Sequence, residues 1–212
     1  MPASSLSVTS IVGLALAASL LAVKVSAYAR RIHSKDIVPF ARERGKRSVQ
    51  ALHQCTHSVQ VVGDVPGSLQ SVWQAYMEEF KTGGGLLTVN LHDAGDKYGE
   101  GLVRSVYLPV VGGTVECIVD CVPYVRARYS LVAGLWLFGA ALYVGETLFE
   151  PLGNGQVRVT WTSRFRPSFW GAQFYVYVTV RHVLRSVVDN ITRKCTAAAA
   201  AAATPVGRPQ LT

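Results

Sequence analysis

The sequence predicts an α+β domain in which helices cover one face of a curved antiparallel sheet. Apolar and polar residues alternate in a succession of short runs separated by Gly, Pro and Asn, which is typical of strands joined by tight turns. One amphipathic segment precedes most of these runs and a longer one follows them. Half of the 212 residues are hydrophobic, which is enough for one domain with a substantial core.

The strand pattern begins at His57–Val62, and the turn GDVPGS leads into a short amphipathic helix over Ser68–Phe80. Because the strands that follow are consecutive and joined by short turns, we expect them to pair antiparallel. A long helix over Gln173–Lys194, with apolar residues at helical spacing, ends the pattern and leaves a concave space between helix and sheet. The intervening strands are predicted at Leu86–Leu91, Leu102–Leu108, Val115–Val122, Ala127–Val132, Ala141–Phe149 and Val157–Phe165.

The N-terminal run Leu6–Val23 contains no charged residue and is close to the about 20 residues that span a bilayer. Basic residues follow the run rather than precede it, which favours an uncleaved transmembrane anchor with a cytosolic domain. The alternative is a signal peptide cleaved after Ala27, which would leave the domain secreted or lumenal. The predicted regions are an anchor (1–23), a basic juxtamembrane linker (24–54), the domain (55–195) and an Ala-rich disordered tail (196–212).

A second apolar run, Ser130–Gly145, has two interpretations. It is short for a spanning segment and glycines interrupt it, so we interpret it as two strands and their connection rather than as a membrane hairpin.

The formal net charge of +8 is concentrated between Lys24 and Arg47. A basic bias confined to one linker argues against a nucleic-acid-binding face on the domain. The linker either contacts an anionic leaflet or is a solvated spacer.

No pattern of covalent or metal-dependent catalysis is present. No Ser, Cys or Lys has an evident activating partner. His92, Asp93 and Asp96 share one turn without further metal ligands. His182 is expected to be a partly exposed residue of the last helix, and the alternative is an acid–base group in the cavity. The sequence therefore predicts no metal and no cofactor.

Arg104 and Glu116 lie on successive strands, where an antiparallel pair brings them opposite each other. They form either an ion pair on the solvent face, which the residues slightly favour, or a polar group that orients a ligand head in an apolar cavity. Trp161 shares the inward face of its strand with Val157 and Phe165 because side chains alternate with period two. The residues predicted to bind a ligand are Trp73, Arg104, Glu116, Tyr129, Tyr143, Trp161 and Tyr177.

The succession of these segments resembles the START-like superfamily, also called SRPBCC, and within it the polyketide cyclase/dehydrase-like and lipid-transfer groups. The resemblance covers about residues 55–195 and implies a helix-grip fold, a seven-stranded antiparallel sheet around the C-terminal helix over a hydrophobic cavity. It also implies binding of lipids, sterols, quinones, hormones or polyketides, with cyclase activity in some members. The stretches that carry it are HSVQVVGDVPGSLQSVWQAYMEEF, GEGLVRSVYLP, VECIVDCVP, ARYSLV, LFEPLGNGQVRVTWTSRFRP and the final helix.

The leading hypothesis is a membrane-anchored protein that binds, transports or senses a hydrophobic ligand such as a lipid, sterol or quinone. Its expected partners are a membrane and a hydrophobic small molecule, with no nucleic acid. A binding protein is favoured over an enzyme. The alternatives are a cyclase/dehydratase-type enzyme with Arg104, Glu116, Tyr129 or His182 as acid–base groups, and an interaction domain with a filled core.

Overall fold

The computed structural model describes residues 35–84, 87–108, 112–135 and 139–203. The compact unit that contains the sheet is Val38–Thr212. A short 3₁₀ turn at Leu52–Gln54 follows the first helix. The elements are α1 (Ile37–Gln50), β1 (His57–Pro66), α2 (Leu69–Thr82), β2 (Thr88–Asp93), β3 (Val103–Leu108), β4 (Gly112–Val122), β5 (Arg126–Ala133), β6 (Ala140–Pro151), β7 (Gln156–Pro167) and α3 (Ala172–Ala203).

The strands form one seven-stranded sheet in the order β1-β7-β6-β5-β4-β3-β2. Every neighbouring pair is antiparallel. Strands β2 to β6 therefore follow one another as a meander, and β7 returns beside β6 to pair with β1. The predicted antiparallel α+β sheet with a long C-terminal helix is confirmed.

Burial along β7 alternates strictly, which shows how the sequence selects the two faces of the sheet. Val157, Val159 and Trp161 are buried, whereas Arg158 and Thr160 between them are partly exposed. Because strand side chains point alternately to opposite faces, the buried set faces the concave core. The predicted inward orientation of Trp161 is confirmed.

Two helices cover the concave face. Helix α3 buries an apolar stripe of Val180, Leu184, Val187 and Ile191, at the spacing of one helix face. Helix α2 starts at Ser68, whose Oγ accepts a hydrogen bond from the Ser71 N–H, as N-cap residues do. The aromatic side chains of α2 complete the core, and they are Trp73, Tyr76 and Phe80.

A buried carboxylate joins the two helices. Glu79 of α2 is only 3% exposed. Its Oε1 accepts a hydrogen bond from Asn190 Nδ2 at 3.0 Å, and its Oε2 lies 2.8 Å from Lys194 Nζ. A Cβ on Gly84 would lie 2.2 Å from Glu79 Oε1, so the segment after α2 packs directly on the same group. The C-terminal half of α3 is therefore fixed to α2 by charge-assisted hydrogen bonds.

Helix α1 lies within the segment predicted as a basic linker. It packs on the convex face, where a Cβ added to Gly45 would lie 2.8 Å from Val119 Cγ2. Arg42 donates to the Gly101 carbonyl and contacts Asp93 at 3.0 Å. This helix was not predicted from the sequence because its charged residues were interpreted as a linker. The close approach to β4 is what requires a glycine at position 45.

The C-terminal helix is longer than predicted. Residues 196–203, expected to begin a disordered tail, continue α3 through the alanine run to Ala203. Alanine has the highest helix propensity, which accounts for the extension. Residues 204–212 lie outside the described residues.

Among the described residues, no helix is long and apolar enough to cross a membrane. This finding contradicts the predicted single-pass membrane protein with its N-terminal transmembrane helix. The run Leu6–Val23, on which that prediction rested, lies outside the described residues. The second apolar run contributes to strands β5 and β6 as predicted, with residues 136–138 outside the described set.

The bonds of Glu79 generate the first prediction. We expect Glu79→Ala to lower the free energy of unfolding by about 2–3 kcal/mol, because buried Asn190 loses its acceptor and Lys194 its ion pair. The matched control is Glu78→Ala, one residue earlier on the exposed side of α2, with an expected change within about 0.5 kcal/mol. Chemical denaturation of both variants measures the difference. Equal losses in the two variants would show that the helix contact does not depend on Glu79.

Candidate ligand-binding cavity

A small cavity lies between the concave face of the sheet and α3, with a volume of about 40 Å³. Its helix side is apolar and consists of Val180, Val183, Leu184 and Val187. Its sheet side carries several polar groups, so the two walls differ in chemistry. The polar residues of the sheet side are Arg104, Thr114, Glu116, Tyr129 and Tyr143.

An ion pair between β3 and β4 forms the charged part of the sheet wall. Arg104 and Glu116 are direct cross-strand partners, as predicted. Arg104 Nε and Nη2 lie 2.8 Å and 2.7 Å from Glu116 Oε2. The two residues are 4% and 8% exposed and both line the cavity. The interpretation as an ion pair on the solvent face, which the sequence slightly favoured, is therefore wrong.

Further contacts compensate the buried guanidinium. Arg104 Nη1 donates to the Phe80 carbonyl, and the guanidinium carbon lies 3.5 Å from the centroid of the Phe80 ring. A cation over an aromatic face gains electrostatic attraction, more so when water is excluded. Helix α2 thus holds the Arg104 side chain in place from the side opposite Glu116.

The Glu116 carboxylate has fewer polar partners within the protein than the Arg104 guanidinium. Both contacts from Arg104 go to Oε2, and within the described part of the chain no donor is within hydrogen-bond distance of Oε1. A carboxylate oxygen has lone pairs that accept hydrogen bonds. Glu116 can therefore accept a hydrogen bond from a molecule in the cavity.

A chain of hydroxyl groups lies beside the ion pair. Trp161 Nε1 donates to Tyr129 Oη at 3.2 Å, and Tyr129 Oη lies 3.3 Å from Tyr143 Oη. Tyr143 Oη in turn lies 2.6 Å from Ser163 Oγ. Gly145 makes this possible, because a Cβ there would lie 2.1 Å from the Tyr129 ring. The tyrosine ring can cross β6 only where the side chain is absent.

Burial sets the protonation state of these phenols. Desolvation raises the pKa of Tyr143 to about 12, and it raises the pKa of Tyr129 well above the usual value of a tyrosine. Both phenols are therefore protonated at neutral pH. In that state they donate and accept hydrogen bonds, and neither is a base.

The structure brings five of the seven predicted ligand-binding residues to the cavity wall. Two lie elsewhere. Trp73 is buried in the core, with ring centroids 5.0 Å from Phe149 and 6.1 Å from Tyr76. Tyr177 is on the exposed side of α3 and accepts a hydrogen bond from Arg181. The residues at the cavity wall are Arg104, Glu116, Tyr129, Tyr143 and Trp161.

Some wall residues were not predicted. Val106 and Thr114 line the cavity, and each is two positions from a predicted residue on its strand, Arg104 or Glu116. The period-two rule would have found them once the inward face of β3 and β4 was known. His182, weighed as an acid–base group, is exposed, in agreement with the expectation for an exposed helix position.

Comparisons with known proteins show what this arrangement is similar to. No protein-family model and no curated protein matches the sequence. A protein from Nitrosospira multiformis matches with a TM-score of 0.54 at 17% identity, covering 68% of this chain and 99% of that one. Norcoclaurine synthase from Thalictrum flavum, in complex with dopamine and hydroxybenzaldehyde, matches with a TM-score of 0.51 at 12% identity, covering 66% and 87%. The protein Ara h 8.0201 matches with a TM-score of 0.52 at 13% identity, covering 66% and 98%.

The chain has the START-like helix-grip fold. This confirms the resemblance inferred from the sequence, at the level of the fold. In this fold the sheet and the C-terminal helix enclose the cavity described above. The low identities carry no ligand or activity from these neighbours to this protein.

The buried ion pair generates a second prediction. We expect Glu116→Leu to lower the free energy of unfolding by about 3 kcal/mol or more, because it leaves the Arg104 guanidinium buried without a counter-charge. The double variant Arg104→Met/Glu116→Leu should recover most of that loss and lie within about 1.5 kcal/mol of the wild type. Urea denaturation of the wild type and both variants provides the comparison. A double variant as unstable as the single one would contradict this account of the pair.

The raised pKa of Tyr143 generates a third prediction. The pKa of an unfolded tyrosine is about 10, whereas burial raises the pKa of Tyr143 in the fold to about 12. As the pH rises between these values, the unfolded chain releases a proton that the folded chain retains, so the free energy of unfolding decreases. This contribution is fully present below about pH 10. Tyr143→Phe should make the decrease shallower.

Denaturation curves collected at intervals from neutral pH to strongly alkaline pH measure that slope. Tyr177→Phe, at an exposed phenol on α3, controls for the substitution itself. An unchanged slope in Tyr143→Phe would contradict the prediction, whatever its effect on stability at neutral pH.

Proposed function

We propose that this protein binds a hydrophobic small molecule with a polar head group in the cavity between the sheet and α3. The observation that carries the proposal is the buried Arg104–Glu116 pair in the wall of an otherwise largely apolar cavity. A buried ion pair is a weak source of stability because desolvation offsets the attraction. Its position at the cavity therefore supports a role in orienting a ligand.

The chemistry of the wall suggests the class of ligand. Glu116 Oε1 accepts a hydrogen bond from a hydroxyl or amine, and the protonated phenols of Tyr129 and Tyr143 donate to a carbonyl or hydroxyl. The apolar body of the ligand contacts the valine and leucine side chains of α3. Burial of apolar surface contributes about 25 cal/mol per Å². Lipids, sterols and quinones all combine such a head with such a body.

The cavity must enlarge to admit this ligand. Its volume of about 40 Å³ holds about three water molecules, whereas pockets for small molecules usually measure about 300–1,000 Å³. The adjustable wall is α3, because the other wall is a continuous hydrogen-bonded sheet. Ligand binding thus requires an outward shift of α3 next to Val183 and Leu184.

An enzyme of the cyclase/dehydratase type is the second candidate. Titratable side chains converge on one cavity, which is the arrangement that acid–base catalysis needs. In this candidate Glu116 is the base, and the protonated phenol of Tyr143 is the acid. A pH-dependent rate that Glu116→Gln abolishes without loss of binding would favour it over a binding protein.

Ligand binding is tested first on the full chain purified without detergent. Native mass spectrometry with organic extraction should detect a stoichiometric hydrophobic molecule, and 1-anilinonaphthalene-8-sulfonate should bind and be displaced by it. Leu184→Trp, which fills the cavity, should weaken probe binding by about tenfold, the effect of losing 1.4 kcal/mol. His182→Trp, at an exposed position of the same helix, should change it less than about twofold.

Near-ultraviolet circular dichroism confirms that both variants are folded, and Leu184→Phe provides a smaller replacement if Leu184→Trp is not. Equal probe affinity in folded Leu184→Trp and wild type would place the ligand outside the cavity. An empty protein that binds no probe would favour the interaction domain with a filled core.

A further inference from the structure

A cluster of large apolar side chains is exposed where β7 passes into α3. Trp170 is 94% exposed, Phe174 70%, Val178 66% and Phe169 62%. We call these four residues the aromatic end patch. They are the most exposed of the large hydrophobic side chains in the described ranges. Exposed contiguous apolar surface of this kind marks an interaction site more often than a scattered single residue does.

The aromatic end patch lies at one end of the sheet. Strand β7 ends at Pro167 just before it, and the antiparallel pairing places the start of β6 at the same end. A Cβ on Gly139, before β6, would lie 3.5 Å from the Tyr175 ring. The opposite end of the sheet carries the charged turn Asp93–Leu102. The two ends therefore differ sharply in polarity.

The sequence that contains the patch is basic, with Asp64 and Asp189 as the acidic residues beside Arg181 and Arg185. Between Glu150 and Asp189 the sequence contains five arginines and no acidic residue. Two of them form ion pairs with acidic residues of the sheet, Arg158 with Asp64 and Arg164 with Glu146. The three others have no carboxylate partner in the described part of the chain, and they are Arg166, Arg181 and Arg185.

Helix α3 arranges these groups in sequence along its exposed side. Phe174, Val178, Arg181 and Arg185 follow one another at spacings of four, three and four residues, so they form one stripe. The stripe is apolar near the start of α3 and basic one to two turns later, and the exposed Asp189 follows four residues after Arg185. An apolar segment followed by cations matches the gradient from the acyl chains to the phosphates of a lipid surface.

We propose that the aromatic end patch docks on the surface of an anionic lipid bilayer. Trp170, Phe169 and Phe174 enter the interface, where amphipathic and aromatic side chains partition favourably. Arg181 and Arg185 contact the lipid phosphates, each near-surface cation contributing about 1 kcal/mol. The contact is with one leaflet and involves no spanning helix. The exposed side chains of the patch are present whether or not the cavity holds a ligand, so the proposal does not rest on the proposed function.

A second copy of this chain fits the patch less well. A two-fold contact places the same surface of both copies together. Such a contact through this patch would bring Arg181 and Arg185 of one copy close to those of the other. Of the two acidic residues beside them, Asp64 and Asp189, Asp64 is already paired with Arg158. An anionic surface complements the same cations instead.

Vesicle flotation with the full chain tests the proposal. Vesicles of phosphatidylcholine and phosphatidylserine are compared with vesicles of phosphatidylcholine alone. Trp170→Glu should weaken binding to the anionic vesicles by about tenfold, because a carboxylate must be desolvated at the interface and repels the lipid phosphates. The matched control is Val125→Glu, which replaces a 53% exposed apolar residue at the opposite end of the sheet and should bind like the wild type.

A second readout reports on the patch itself. The emission of Trp170, obtained as the difference between wild type and Trp170→Phe, should shift to the blue with anionic vesicles and be quenched by brominated lipids. The double variant Arg181→Gln/Arg185→Gln should reduce the preference for anionic vesicles. This readout reports on the patch because the difference spectrum contains the emission of Trp170. Vesicle binding through another segment would leave that emission unchanged.

Three results would overturn the proposal. The first is equal vesicle binding by Trp170→Glu and the wild type. The second is emission from Trp170 that vesicles neither shift nor quench. The third is a wild-type dimer in sedimentation velocity that Trp170→Glu converts to a monomer while vesicle binding is absent, which would assign the patch to a second copy or another protein.

Discussion

The packing of α3 against the concave face of the sheet is the contact on which the rest of the structure depends. The sheet would otherwise expose Trp161 and Phe165 to water, and an antiparallel sheet needs one covered face to form a core. The two halves of α3 are held differently. Asn190 and Lys194 in the C-terminal half bond to buried Glu79, whereas the half over the cavity is held by apolar contacts. Apolar packing is not directional, so the half over the cavity is the one that can shift to admit a ligand.

The polar groups under α3 limit how the cavity can be filled. Arg104 is satisfied by Glu116, by the Phe80 carbonyl and by the Phe80 ring. Glu116 keeps one oxygen without a partner in the described part of the chain. Charge burial costs free energy that hydrophobic residues of equal volume would not cost. An interaction domain with a filled core would gain stability if hydrophobic residues replaced Arg104 and Glu116. The presence of the pair therefore favours a binding site over a filled core.

The sequence predicted the sheet well because the evidence for it is local. Alternation along each strand identifies which residues share a face, and consecutive strands indicate their partners, as for Arg104 and Glu116. Local sequence patterns do not show which other element a given face of a strand or helix packs against. Trp73 was predicted to bind the ligand but packs on Phe149 in the core. Tyr177 neighbours the inward Val176 in sequence, yet helix geometry turns it to the solvent. Helix α1 was missed because its charged residues were interpreted as a linker.

The cavity and the aromatic end patch use the same turns of α3. Val180 lines the cavity, whereas Val178, two residues earlier, is exposed in the patch. Residues two apart point to different sides of a helix, so one rigid segment presents both surfaces. A lipid surface that holds the exposed side therefore acts on the wall that must shift when a ligand enters. If the cavity binds a ligand and the patch binds lipid, any energetic coupling between the two sites is reciprocal, so a ligand that displaces this segment would change the affinity of the patch for lipid by the same factor.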